Sequence, residues 1–304
     1  MGNESEATRW GGQIRTAGQG TALADSVLLL SCPDAHGIAH QVSCFFAEHG
    51  CHTVDVAQYR DAQRQRLFLR IRFATDDPVA ITRRFATLAA RLEMAWQIHD
   101  MRRKMRVVLM VSKSGHCLND ILFRVNSGLL PVEIAAVVSN HRDFEALCAG
   151  YDVPFFHFPV APAGTPDAGG HEQRLIDLVD DAKVDLVVLA RYMQVLSPHL
   201  CRMFSGRVVN IHHSLLPSFK GAKPYCQAHE RGVKLIGASA HFVTEDLDEG
   251  PIIEQDVTRV HHAHGPEQLS AMGRDAECIV LARAVQWIAE HRVLLNGRKT
   301  VVFH

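Results

Sequence analysis

The sequence has no excess of either charge: 32 basic side chains stand against 33 acidic ones. Without a global field there is nothing to hold nucleic acid or an anionic membrane, so small-molecule partners are expected. No C-x-x-C pair occurs among Cys32, Cys44, Cys51, Cys117, Cys148, Cys201, Cys226 and Cys278. Several of these thiols lie inside apolar runs, where they act as small hydrophobes, and this usage fits a reducing cytoplasm. The stretch Met1 to Thr21 is polar and Gly-rich with no apolar centre, so it reads as part of a disordered tail over 1–24 and not as a secretory signal. No apolar run approaches the roughly 18 residues that a spanning helix needs. Internal repeats and low-complexity segments are also missing.

What is present is an ordinary globular composition, 47% hydrophobic and 21% charged over 304 residues. At about 150 residues per domain this suggests two folding units. The first is expected over 25–99. A strand at Val27 to Ser31, a helix from Gly37 to Glu48, strands at Thr53 to Tyr59 and Leu67 to Phe73, a helix from Pro78 to Leu92 and a strand at Met94 to Ile98 follow from the periodicity,. The order βαββαβ is the ferredoxin-like unit. Its first loop, Cys32-Pro33-Asp34-Ala35-His36-Gly37-Ile38, resembles the opening of an ACT domain, a small regulatory module that binds amino acids. Gly37 permits a tight turn, and the next helix offers free N–H groups to a carboxylate. Asp34, His36 and Gly37 are therefore candidate effector residues.

A basic linker over 100–105 leads to a second unit over 106–304. Apolar runs at Val107 to Val111, Ile134 to Val138, Phe155 to Phe158, Leu186 to Ala190 and Val208 to Ile211 alternate with helical segments, including one from Asn140 to Gly150. That alternation predicts a doubly wound, mostly parallel sheet, with chemistry at the carboxyl ends of its strands. A long helix from Pro266 to Glu290 follows, then apolar runs around Asn296-Gly297 that read as a hairpin,.

Two segments carry the chemistry. In Asn210-Ile211-His212-His213-Ser214-Leu215-Leu216-Pro217 an amide and an imidazole two residues apart share one side of a strand end,. Gly237 to Thr244 is a strand of small residues, and Leu247-Asp248-Glu249-Gly250-Pro251 closes an acidic loop behind it. A carboxylate with a His and an Asn is the set needed to hydrolyse or transfer an acyl group. His261, His262 and His264 have no carboxylate or cysteine at ligand spacing, so no metal site is expected there.

The two motifs in this order resemble the formyltransferase-fold enzymes that use 10-formyltetrahydrofolate. The resemblance implies a catalytic set of Asn210, His212 and Asp248. It also implies a pterin-binding loop within Ala190 to Pro198, with Met193, Gln194, Val195 and Leu196 against the substrate, and Thr244 and His213 as secondary contacts. An ACT-like module before this domain, the segment Phe219 to Tyr225 and the terminal hairpin resemble the hydrolytic branch of the family, the deformylases. The loop Ser112-Lys113-Ser114-Gly115-His116 has one glycine, a poor phosphate cradle, which favours water over a phosphorylated acceptor,.

The expected reaction is hydrolysis of 10-formyltetrahydrofolate to formate and tetrahydrofolate without metal or redox cofactor, balancing folate pools for purine synthesis. In it Asp248, its pKa raised by partial burial, takes the water's proton while Asn210 and His212 hold the oxyanion, with the division of the later proton steps between His212 and Asp248 left open by the sequence. Formyl transfer to an amine, or a folate and amino-acid sensor without turnover, remain as alternatives. By analogy with the family the expected effector is glycine or methionine, and the expected assembly is a homo-oligomer.

Overall fold

The computed structural model describes residues 23–161, 170–217 and 224–304. The expected tail therefore lies, over 1–22, outside the described residues, and Ala24 already belongs to the first strand.

The chain opens with β1 (Ala24–Pro33), α1 (Ile38–Glu48), β2 (His52–Asp61), β3 (Arg66–Thr75), α2 (Pro78–Arg91) and β4 (Ala95–Asp100). These strands form an antiparallel sheet in the order β2-β3-β1-β4, the ferredoxin-like arrangement. Period-two alternation sends Leu28, Leu30, Leu69, Ile71 and Phe73 to the helices, where Phe46 and Phe85 complete a core,. Asp77 caps α2 by accepting the Ala80 N–H at 2.8 Å, with Pro78 in its first turn,.

Next come β5 (Met105–Val111), α3 (His116–Asn126), β6 (Val132–Ser139), α4 (Glu145–Ala149), β7 (Phe155–His157), α5 (Gly170–Asp181), β8 (Leu186–Leu189), α6 (Pro198–Met203) and β9 (Val208–His212). Then follow α7 (Pro224–Glu230), β10 (Leu235–Phe242), β11 (Ile252–Arg259), α8 (Pro266–Ala289), β12 (Val293–Asn296) and β13 (Lys299–Val302). The large sheet runs β11-β10-β9-β8-β5-β6-β7. From β9 to β7 every pairing is parallel, whereas β10 is antiparallel to both β9 and β11. One apolar cluster, with α3 and α8, covers one face and a second, with α5 and α6, covers the other. The order reverses between β5 and β8, so the crevice at their carboxyl ends is the switch point where ligands bind in such sheets.

Three local expectations change. The helix expected from Asn140 is restricted to Glu145–Ala149, because Ser139 Oγ accepts the His141 N–H and Asn140 accepts from Ser112 Oγ, which holds that stretch as a loop. The linker shrinks, since β4 reaches Asp100 and β5 begins at Met105. The strand β11 and the short α7 have no counterpart in the apolar pattern; β11 is a sheet edge that is polar at Glu254, Gln255, Asp256, Thr258 and Arg259. Among the described residues no helix is long and apolar enough to cross a membrane.

The second face of the small sheet is buried by the terminal hairpin: Phe68 packs with Val301 and Phe303. Asn296 Nδ2 donates to Asp61 at 2.7 Å. Arg70, 3% exposed, donates to the carbonyls of His291 (2.9 Å) and Glu290 (3.1 Å) at the end of α8. Beside it the rings of His99 and His291 stack at 3.7 Å, and a cavity of about 1140 Å³ remains between the domains. Since Arg70→Ala strips two buried carbonyls of a charged donor, it should lower unfolding free energy by about 3 kcal/mol. A denaturation midpoint like that of the unaltered chain would show that the docking does not depend on this residue.

Candidate active site

The register of β9 against β10 builds the site. Asn210 lies opposite His241 and His212 opposite Ser239, so the cross-strand pairs place two imidazoles and an amide together. Ser239 then anchors the segment after His212: its Oγ donates to Ser214 O (2.9 Å) and accepts from the Leu216 N–H (3.0 Å) and Gln255 Nε2 (2.7 Å). Beyond β10 the chain loops out and returns where the Phe242 N–H donates to Pro251 O at 2.9 Å. Gly250 makes that return possible. A Cβ there would stand 1.7 Å from Phe242 O. Asp248 sits at φ 56°, a left-handed conformation that Asp tolerates, and its carboxylate turns back toward the strand ends.

The structure thus brings Asn210, His212 and Asp248 into one cluster. Asp248 Oδ2 is 3.3 Å from His212 Nδ1, and Oδ1 is 3.6 Å from His241 Nε2. The His212 imidazole, with His241 alongside, holds the Asp248 carboxyl well below the usual carboxylate range. This corrects the expected raised pKa: burial does oppose the charge, but the two rings outweigh it,. Asp248 is a fixed anion that orients its partners. With Nδ1 turned to Asp248, His212 keeps Nε2 free; it is buried and has no hydrogen-bond partner among the described residues.

His241 is a functional residue that the sequence reading passed over. Its Nδ1 lies 2.9 Å from Phe242 O and its Nε2 3.2 Å from Asn210 Nδ2, so the ring ties the amide to the facing strand. Asn210 is therefore oriented by His241 and retains a second N–H. No pattern within its own strand marks it, because its place across from Asn210 is set by the register of β10 on β9.

Other expected residues spread more widely. Met193 and Val195 are exposed at 59% and 73%, while Leu196 is buried at 8% and anchors the loop; Gln194 lies between them. The Met193 N–H donates to Ser112 Oγ at 3.0 Å and the Ser197 N–H to Glu172 at 2.7 Å, so the loop is tied at both ends at the switch point. Thr244 directs its hydroxyl to Asp246 O at 3.0 Å, inside its own loop, and is not joined to the cluster. His213 lies beside His212, with ring centroids 5.0 Å apart, and burial together with Arg191 and His212 pushes its pKa down to about 4. Asp34, His36 and Gly37 line a separate cavity of about 320 Å³ in the small domain. Of the segment Phe219 to Tyr225, residues 219–223 lie outside the described residues.

Among the described residues one group has ligand atoms close enough for a metal: His116, Cys117 and Glu277, within 4.8 Å of one another. The Glu277 oxygens already take His116 Nε2 at 2.7 Å and the Tyr225 hydroxyl at 2.8 Å, and Arg191 Nε lies 3.4 Å away, so a guanidinium stands where a cation would. Of the three histidines set aside as zinc ligands, His261 and His264 accept local N–H groups through Nδ1, each at 3.3 Å.

An Asn, His and Asp cluster at the carboxyl end of β9, beside the switch-point strand β8, defines an acyl-handling enzyme of the formyltransferase type, and residues 105–285 match the Formyl transferase family. The formyltetrahydrofolate deformylase of Corynebacterium sp. (strain P-1) is 49% identical over 280 residues, covering 91% of this chain and 97% of the relative. A crystal structure of formyltetrahydrofolate deformylase from Burkholderia mallei superposes with a TM-score of 0.88 at 49% identity, over 92% of this chain and 100% of that one. Glycinamide ribonucleotide transformylase 1 from Symbiobacterium toebii has a TM-score of 0.62 at 32% identity, over 66% of this chain and 95% of that one. The chain belongs to the formyltetrahydrofolate deformylase family.

Gly250→Ala should push the Asp248 loop away from Phe242 and lower kcat by about 10² or more, since a shift near 1 Å at a reacting group is worth that much. Steady-state kinetics on a variant shown to be folded by circular dichroism measures it. A rate within twofold of the unaltered chain would mean the loop absorbs the Cβ elsewhere.

Proposed function

We propose that this protein hydrolyses 10-formyltetrahydrofolate to formate and tetrahydrofolate, through Asn210, His212 and Asp248 and without metal or redox cofactor. The observation that carries the reading is the pairing of an ionised Asp248 with His212 Nδ1, which leaves a buried Nε2 with no partner among the described residues. In that geometry His212 Nε2 takes a proton from water as the oxygen attacks the formyl carbon. Asn210 donates its free N–H to the oxygen that becomes negative. Asp248 stabilises the imidazolium without itself taking the proton, as in a Ser-His-Asp triad. When the C–N10 bond breaks, His212 returns the proton to N10. Of the two proton carriers that the sequence leaves open, this reading takes the imidazole to move the proton and the carboxylate to hold the ring in place. The exposed Met193 and Val195, on a loop tied at both ends, are the surface offered to the pterin.

Incubation with 10-formyltetrahydrofolate alone tests the reaction. Formate release without an amine is expected, whereas its absence would favour transfer or binding only. Asp248→Asn should retain the fold and folate binding but lose about 10² to 10⁴ in kcat, because an amide cannot stabilise the imidazolium. A near-normal rate would remove Asp248 from the mechanism.

The finer expectations belong to the same reading. The small domain acts as an amino-acid sensor for glycine or methionine, with the ligand's carboxylate at the start of α1. Gly37 at φ 79° shapes that start, and Asp34 is drawn off into an ion pair with Arg60. The chain works as a homo-oligomer in the cytoplasm, balancing formyl-folate against free folate for purine synthesis. Edge strands β2 and β4 suit pairing between copies, and the eight cysteines are free thiols. Adding glycine or methionine to the full chain should change apparent folate affinity about 5- to 150-fold, the span of a 1 to 3 kcal/mol coupling. Identical titrations with and without both amino acids would rule out the sensor.

A further inference from the structure

The polar groups left over by this mechanism concentrate on one flank of the site. Glu277, 1% exposed within α8, receives His116 from the start of α3, the Tyr225 hydroxyl from α7 and Arg191 from the loop after β8. Burial works against its charge, yet His116, Arg191 and Tyr225 together hold it ionised, below the usual carboxylate range,. His213 borders this group. Its ring centroid is 6.3 Å from that of Tyr225 and 5.0 Å from that of His212, and among the described residues its ring nitrogens have no hydrogen-bond partner.

We propose that His213 holds the hydrolytic water, gripping one of its hydrogens while His212 Nε2 receives the other. The proposal rests on the hydrolytic reading above and adds to it the residue that seats the acceptor. A water donating to two acceptors spans about 4.5 Å between them, and neighbouring imidazoles whose ring centroids lie 5.0 Å apart can present two nitrogens at that spacing. With both hydrogens engaged, a lone pair of the oxygen is left for the formyl carbon. His213 takes no proton itself: the hydrogen on His212 is transferred and later reaches N10, while the hydrogen on His213 stays on oxygen and is lost to solvent when the formic acid product ionises.

The seat works only while His213 is neutral, because an imidazolium has no lone pair to offer. Burial comes first in keeping it so, then the charges of Arg191 and His212, against which Glu277 and Asp248 pull the other way. Tyr225 faces the ring from α7, and His116 acts on it through Glu277. The buried Glu277 group is thus a positioning device that fixes Arg191 and Tyr225 around the ring.

The test uses the full chain. His213→Ala should lower kcat about 10²-fold with folate KM within about threefold, and added imidazole should restore part of the rate. Removing the cation in Arg191→Gln makes His213 easier to protonate, so the acid limb of kcat should move to higher pH. Removing the anion in Glu277→Gln should move it to lower pH. A merely structural role would not shift the two in opposite directions, and Arg191→Gln decides the matter alone if Glu277→Gln does not fold. Formate release by the native chain together with unchanged kcat in His213→Ala, a loss confined to KM, or an unmoved limb in Arg191→Gln overturns this inference and leaves the deformylase reading intact. No formate from the native chain overturns both.

Discussion

A carboxylate kept ionised between two imidazoles is the constraint on which the carboxyl end of the large sheet depends. Asp248 can serve there only if its loop returns close to Phe242, and that return requires the missing side chain of Gly250. His212 and His241 can both face it only because β10 runs antiparallel to β9, which puts His241 across from Asn210. The strand that departs from the parallel pattern is thus the one that completes the site. Its small residues are explained in the same way: Ser239 lies opposite His212 and spends its hydroxyl on fixing the segment that follows.

The two domains are joined by a different kind of interaction. The small sheet buries helices on one face, as its alternation dictates, but its other face would be left open without the terminal hairpin. Phe68, Asp61 and Arg70 reach from that face to β12, β13 and the end of α8. Since α8 also carries Glu277 into the flank of the active site, one helix contacts both the small domain and the acceptor side. An effect of the small domain on turnover therefore has a continuous packed element to act through, though only two states of that element would make it a coupling path.

Most of the fold class was legible because the central strands of the large sheet are apolar runs alternating with helical segments, and the βαββαβ order of the first domain was explicit in its alternation. Legibility failed where side chains override pattern. Ser112 and Ser139 hold the stretch after β6 out of helix, and β11 is polar because it is an edge. At the site, the spacing of Asn210 and His212 showed that they share a side, and the acidic loop marked Asp248. The protonation states were not readable. Burial alone predicts a raised carboxyl for Asp248, and only the coordinates show two rings close enough to reverse the sign. His241 escaped notice because its importance lies in cross-strand register, which a single strand does not display.

Deformylases and transformylases show how far a shared fold stops short of a reaction. The likeness to a transformylase covers the larger domain at a TM-score of 0.62, so sheet, switch point and strand ends are common property,. What separates water from an amine as acceptor must lie in the side chains around the attacking atom. In this chain the first βα loop gives its single glycine to packing, with the Phe144 ring 2.3 Å from where a Cβ would be. Its next residue, His116, turns inward to a buried carboxylate instead of outward to a ligand. A loop with its glycine and histidine committed to the protein interior in this way is a poor cradle for a phosphate. Behind that loop the flank is held by an ion-paired core group, in which Glu277 takes His116, Tyr225 and Arg191.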